Sequence, residues 1–114
     1  MAHPVVHFEI AGANGEGLVA FYRDLFGWKI QPSGPDYWLV TTEEGGIGGG
    51  LMQTRDEMPA YVTVYVSTDD LEDSLRRVGE LGGETVVPPM EIPGVGKFAM
   101  VRDPGGNMIG LFDE

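Results

Sequence analysis

The chain has no cysteine in its 114 residues. Disulfides and thiolate metal sites are therefore excluded, and a thiol-free chain fits the reducing cytoplasm. Basic side chains are scarce: seven Lys and Arg stand against eighteen Asp and Glu, for a formal charge of −11. The seven form no patch, so nucleic acid is not an expected partner. No apolar run approaches the roughly 18 residues that cross a bilayer, so no membrane partner is expected either. Met1 to Ile10 lacks a basic flank leading into an apolar stretch, and no signal peptide is expected. A Gly-x-Ser-x-Gly nucleophile elbow and a dinucleotide-binding glycine fingerprint are also missing.

Apolar residues make up 42% of the chain and charged residues 22%, the balance of an ordinary globule with enough core for one domain. Eighteen glycines and eight prolines divide it into short runs. Val5–Ile10 alternates as a strand. Asn14 to Phe26 has helical spacing in Leu18, Tyr22, Leu25 and Phe26, with Asn14 as N-cap and Gly27 as stop. Strands are expected at Trp28–Ile30, Tyr37–Thr42 and the glycine-rich Ile47–Gln53. The order then restarts. Tyr61–Ser67 is a strand, and a helix begins at Asp69 with Glu72 as capping-box partner. Its stripe is Leu71, Leu75, Val78 and Leu81, and Gly82-Gly83 stops it. Short strands follow at Glu84–Val87, Lys97–Arg102 and Asn107–Phe112.

An offset of 56 positions lays Ile10 on Val66, Val19 on Leu75, Leu25 on Leu81, Gly27 on Gly83 and Ile30 on Val86. Strand, helix, stop and strand coincide, so the chain reads as a duplicated supersecondary unit. The fold class is α+β: two tandem βαβββ modules, residues 1–54 and 61–114, joined by a link at 55–60. Their mixed sheets are expected to curl into a cup, with the helices on the outer face. Alternation puts Phe8 and Ile10 on the helix side, and His7 and Glu9 on the other. Thr63 and Tyr65, their repeat partners, face the same way.

These elements resemble the vicinal oxygen chelate superfamily of glyoxalases, bleomycin-resistance proteins and extradiol dioxygenases. The carriers are His7-Phe8-Glu9-Ile10, Phe21-Tyr22 through Gly27-Trp28, Leu81-Gly82-Gly83, Ile92-Pro93-Gly94-Val95-Gly96 and Asp103-Pro104-Gly105-Gly106-Asn107. The resemblance implies a homodimer, because chains of this size in the family usually pair. It also implies four metal ligands on the cup face, typically two His and two Glu. His7 matches the first. The second position lies within Gly46–Met52, which has no carboxylate or imidazole; the third falls on Thr63 and the fourth on Gly110. One ligand of four remains, too few for a stable site, so neither a metal nor another cofactor is expected.

Several site residues are open to two readings. His7 either hydrogen-bonds a neighbour on the sheet or contacts a ligand. Beside it, Glu9 can orient or charge the imidazole, and such a pair can move a proton next to a carbonyl. Thr63 and Tyr65 can orient a ligand or simply satisfy strand preference. Tyr37 and Trp38 are adjacent, so one faces the cup; Trp38 is the expected aromatic plate for a ligand, unless it packs in the core. The glycines of Gly45–Gly50 permit close approach, and Gly110 removes another side chain, which is expected to leave room for a bulky ligand. No phosphate loop is formed there, since no Lys-Ser or Lys-Thr and no helix follow. Arg76-Arg77 reads as solvated surface, and His3 as part of a frayed terminus without a role.

The leading expectation is a metal-independent small-molecule-binding protein. Its ligand is aromatic or cationic, the latter attracted by the acidic surface. One alternative is a glyoxalase-like isomerase or lyase using His7 and Glu9 as acid and base, with a divalent metal as its lesser variant. Another is a pseudoenzyme that serves as an interaction module.

Overall fold

Ten elements alternate as the repeat requires: β1 (Val5–Gly12), α1 (Gly15–Phe26), β2 (Lys29–Pro32), β3 (Tyr37–Thr41), β4 (Gly48–Gln53), β5 (Tyr61–Ser67), α2 (Leu71–Glu80), β6 (Glu84–Ile92), β7 (Gly96–Arg102) and β8 (Met108–Asp113). They are seen in a computed structural model that describes residues 2–114. The class is α+β, as expected. Two compact units emerge: one is His7–Thr63, the other Val64–Glu114 together with the chain start up to Val6.

In the first unit β2, β3 and β4 form an antiparallel meander, and β1 joins β4 in parallel. A parallel partner needs a crossover, which α1 supplies. Asn14 caps that helix: its side-chain oxygen accepts from the Gly17 N–H at 2.9 Å. Gly27 ends it in the left-handed conformation at φ 71°, a region costly for any residue with a Cβ. Between helix and sheet lie aromatic rings. Trp28 sits 5.2 Å from both Phe8 and Tyr22, stacked on the latter at 15°. Ala11, Val40 and Leu51 are the buried apolar side chains. The helical stripe is only partly inward, however: Leu25 and Phe26 are more than half exposed.

In the second unit β6, β7 and β8 form the meander and β8 pairs with β5 in parallel. The N-cap of α2 is Asp70, one residue later than the sequence suggested; its carboxylate accepts from the Asp73 N–H at 3.0 Å. The core here is Leu71, Ala99, Met100 and Val101. Leu81, expected in the apolar stripe, is the C-cap and is mostly exposed, since the helix ends before the stripe reaches it. β6 runs on to Ile92, through Pro88 and Pro89, where the sequence suggested an end at Val87. Proline cannot donate to a ladder, but β6 pairs only with β7 in this unit and shifts register between Thr85, Val87 and Met90. Asp103 fixes the turn between β7 and β8: its Oδ1 accepts from the N–H of Gly105 at 2.8 Å and of Asn107 at 2.9 Å. These bonds, those from Asn107 first, hold the Asp103 carboxyl below its ordinary pKa.

Among the described residues no helix is long and apolar enough to cross a membrane.

Candidate functional site

The parallel register sets His7 beside Gly48 and Glu9 beside Gly50, while the antiparallel one sets Tyr37 beside Met52. Alternation then brings His7, Glu9, Gly50, Met52 and Tyr37 to the sheet face away from α1. Hydrogen bonds tie His7, Tyr37 and Glu9 together and bring in Tyr61 from β5. The Tyr37 hydroxyl donates to Glu9 Oε1 at 3.0 Å and lies 3.1 Å from His7 Nε2. The Tyr61 hydroxyl donates to Glu9 Oε2 at 2.6 Å. Glu9 is 5% exposed and Thr63, two residues beyond Tyr61, is 4% exposed.

A buried carboxylate is costly unless donors surround it, because desolvation of an anion outweighs any single weak contact. Here each oxygen of Glu9 receives a phenol O–H. Ionised Glu9 can only accept. With the Tyr37 proton given to Glu9, the contact between Tyr37 and His7 is filled by the Nε2–H tautomer of His7. Burial lowers the His7 pKa from its ordinary 6.5, partly offset by the attraction of Glu9. Among the described residues no buried side-chain nitrogen or oxygen lacks a partner.

Glycine makes the Tyr37 bridge possible. A Cβ on Gly50 would overlap the Tyr37 hydroxyl and ring. The second unit repeats the device: a Cβ on Gly110 would overlap the Tyr65 ring, which also packs edge-on to Phe98 with centroids 6.4 Å apart. The open space expected at these glycines is therefore not present. Rings from the neighbouring strand of the sheet, Tyr37 on β3 and Tyr65 on β5, lie across them.

Trp38 does not face His7 and Glu9. Its indole lies under the start of α1, where a Cβ on Gly15 would come within 2.6 Å of it. Its neighbour Tyr37 takes the face expected of Trp38, because adjacent strand residues point oppositely. Tyr61 was missed by sequence reasoning. Its signal was present in the alternation Tyr61, Thr63, Tyr65, which puts all three on one side of β5. For Tyr37 the deciding signal is the β3–β4 register, which is not written in either strand alone.

The four-ligand metal site that the resemblance implies does not fit these residues. His7 Nε2 and both oxygens of Glu9 are engaged by phenols, the second position lies in a segment without carboxylate or imidazole, and the fourth is Gly110, covered by the Tyr65 ring. Among the described residues no three His, Cys, Asp or Glu side chains converge.

Comparison with known proteins agrees with this architecture. The anthracycline biosynthesis protein DnrV of Streptomyces peucetius is 26% identical over 117 aligned residues, which cover 87% of this chain and 42% of DnrV. The chain thus spans less than half the length of that relative. In structure it is similar to methylmalonyl-CoA epimerase from Mycobacterium tuberculosis, with TM-score 0.73, 18% identity, and coverage of 96% of this chain and 86% of that one. A glyoxalase/bleomycin resistance protein/dioxygenase superfamily member from Vibrio splendidus 12B01 gives TM-score 0.72 and 18% identity, covering 99% of this chain and all of the other. At such identities the structures speak for the fold alone. The sequence profile of the superfamily matches residues 5–111. The chain belongs to the Glyoxalase/Bleomycin resistance protein/Dioxygenase superfamily.

Proposed function

We propose that this protein binds a small organic molecule, without a metal, on the sheet face that carries His7, Glu9, Tyr37 and Tyr61. The observation that carries the reading is the state of Glu9. A buried carboxylate on this face is satisfied by two phenols, and a cation is not needed to hold it there. The face is rich in aromatic edges and hydroxyls, the surface that a flat aromatic ligand prefers. The charge of −11 favours a ligand that also carries positive charge. The DnrV name, anthracycline biosynthesis, is in keeping with a polycyclic aromatic ligand.

The protein acts as a homodimer in the cytoplasm. Support for pairing comes from the length of DnrV, more than twice that of the part matched here, and from Phe21, Leu25 and Phe26, each more than half exposed on α1.

Thermal unfolding of chelator-treated protein tests the binding reading. A ligand at about a hundred times its dissociation constant adds roughly 2.7 kcal/mol of stability. A panel of cationic polycyclic aromatics is expected to raise the melting temperature, while zinc, manganese, nickel and magnesium are expected not to. Stabilisation by a divalent metal alone would overturn the proposal.

A further inference from the structure

We propose that the ligand carries a carboxylate, held by Lys29 and Thr41 next to a bare strip of backbone at Gly48. The inference rests on the binding reading above and deepens it, by naming a second polar group on the ligand. Strand registers set residues in rows on the face of His7 and Glu9. Lys29 lies opposite Thr41, and Gly48 opposite His7. The ladder between β3 and β4 pairs Val40 with Gly49, and its next step brings Thr41 to Gly48. Lys29, Thr41, Gly48 and His7 thus form one row, and Gln31, Leu39, Gly50 and Glu9 form the next.

The consecutive glycines Gly48, Gly49 and Gly50 of β4 differ in what covers them. A Cβ on Gly49 would overlap the Phe8 ring, and one on Gly50 the Tyr37 ring. On Gly48 it would meet the Val40 carbonyl oxygen at 3.1 Å. Among the described residues, its chain neighbours aside, no side chain comes within 4 Å of that point. Two of these glycines seat rings of the chain itself, and Gly48 leaves a seat of the same kind on the ligand face. Its φ lies outside the left-handed region, so the backbone does not call for glycine, and glycine weakens a strand. A flat ring laid on Gly48 has its edge over Thr41 and towards Lys29.

Lys29 supplies the charge. Of the seven basic residues, Arg23, Arg55, Arg76, Lys97 and Arg102 are paired with carboxylates. Arg77 stands in the last turn of α2, where the helix end favours a cation. Lys29 has neither: among the described residues its ammonium takes part in no ion pair or hydrogen bond. In a chain with eighteen acidic side chains, an ammonium without a carboxylate partner on the ligand face is matched to an anion on the ligand. Thr41 beside it adds a hydroxyl donor. The ligand so defined is a flat aromatic with a carboxylate at its ring edge, which keeps the positive charge favoured by the acidic surface.

The probes are 9-aminoacridine, a tricyclic cation, and 9-aminoacridine-4-carboxylic acid, the same ring with a carboxylate. Calorimetry on chelator-treated protein reads both affinities. On net charge alone the acid is the weaker ligand, because its carboxylate cancels the positive charge that the −11 surface attracts. Lys29 and Thr41 reverse that order: wild type is expected to prefer the acid by about fivefold, the size of a good exposed ion pair. Lys29→Gln, at an exposed position, is expected to bring the two affinities within about twofold of each other and to leave 9-aminoacridine within about twofold of wild type. Lys29→Arg is expected to keep the preference. Gly48→Val fills the seat and is expected to weaken both probes by about tenfold. Equal or weaker binding of the acid by wild type, or a full preference kept in Lys29→Gln, would overturn the carboxylate assignment and leave the binding reading intact. Undiminished binding by Gly48→Val would overturn the seat at Gly48. Failure of wild type to bind either acridine would overturn both readings.

Discussion

Placing a methyl group at Gly50 tests the site's architecture. The φ of Gly50 lies outside the left-handed region, so alanine is compatible with its backbone and the effect is steric. The new Cβ overlaps the Tyr37 hydroxyl and ring, so the ring must move. Tyr37 then loses its bonds to Glu9 and His7, and Glu9 loses one of its two phenol donors. A hydrogen bond to a charged group is worth about 1.5–3 kcal/mol. Replacing a strand glycine returns about 0.5–1 kcal/mol of backbone entropy. The net cost of Gly50→Ala is therefore about 1–2 kcal/mol, a fall of roughly 4–8 °C in melting temperature at about 4 °C per kcal/mol for a chain of this size. The same change in a Tyr37→Ala background has no ring to displace, and there it is expected to be neutral or slightly stabilising. The two substitutions thus couple strongly, as neighbours in one network do. The assay is denaturant unfolding of the wild type, both single variants and the double variant. Additive effects, or a Gly50→Ala variant as stable as wild type with the His7 tautomer unchanged, would refute the argument that Gly50 exists to seat Tyr37.

Tyr61→Phe removes the 2.6 Å donor from Glu9 and should cost about 1–3 kcal/mol by denaturant unfolding; no loss would mean that Glu9 does not depend on that phenol. Asn14→Ala should cost about 1 kcal/mol by the same measurement, through the lost cap on Gly17, with no effect on the site. His7 has a folded pKa lowered by burial, so the unfolded chain takes up its proton first as pH falls. Its contribution to stability is present above its ordinary value of 6.5, is lost progressively below it, and is fully lost once pH drops through the folded value. Melting temperatures between about pH 7.5 and pH 5.5 should therefore fall further for wild type than for His7→Gln; an equal or larger fall in the variant would contradict the assignment.

What sequence made legible was the part governed by local period. The two βαβββ repeats, the Asn14 cap and the Gly27 stop all follow from spacing and turn chemistry, and all are in place. The face bearing His7 and Glu9 followed from alternation along one strand. What stayed hidden depends on pairing between strands. Nothing in Tyr37-Trp38 alone says which ring turns to Glu9; the register against β4 decides it, by laying Tyr37 next to Met52 and diagonal to Gly50. For the same reason the glycines at 50 and 110 looked like open space, although each is the floor beneath a tyrosine from another strand. The length of β6 was also hidden, because Pro88 and Pro89 read as an end unless the strand is known to lack a second partner within its unit.

The central claim is that Glu9 is an organised carboxylate for an organic ligand and not a metal ligand. Calorimetric titration of a cationic polycyclic aromatic into chelator-treated protein, with Glu9→Gln measured alongside, tests it most directly. The account predicts saturable binding by wild type without added metal, unchanged when zinc or manganese is supplied, and weakened at least tenfold by Glu9→Gln. Binding that appears only after a divalent metal is restored, or that is indifferent to Glu9→Gln, would contradict it.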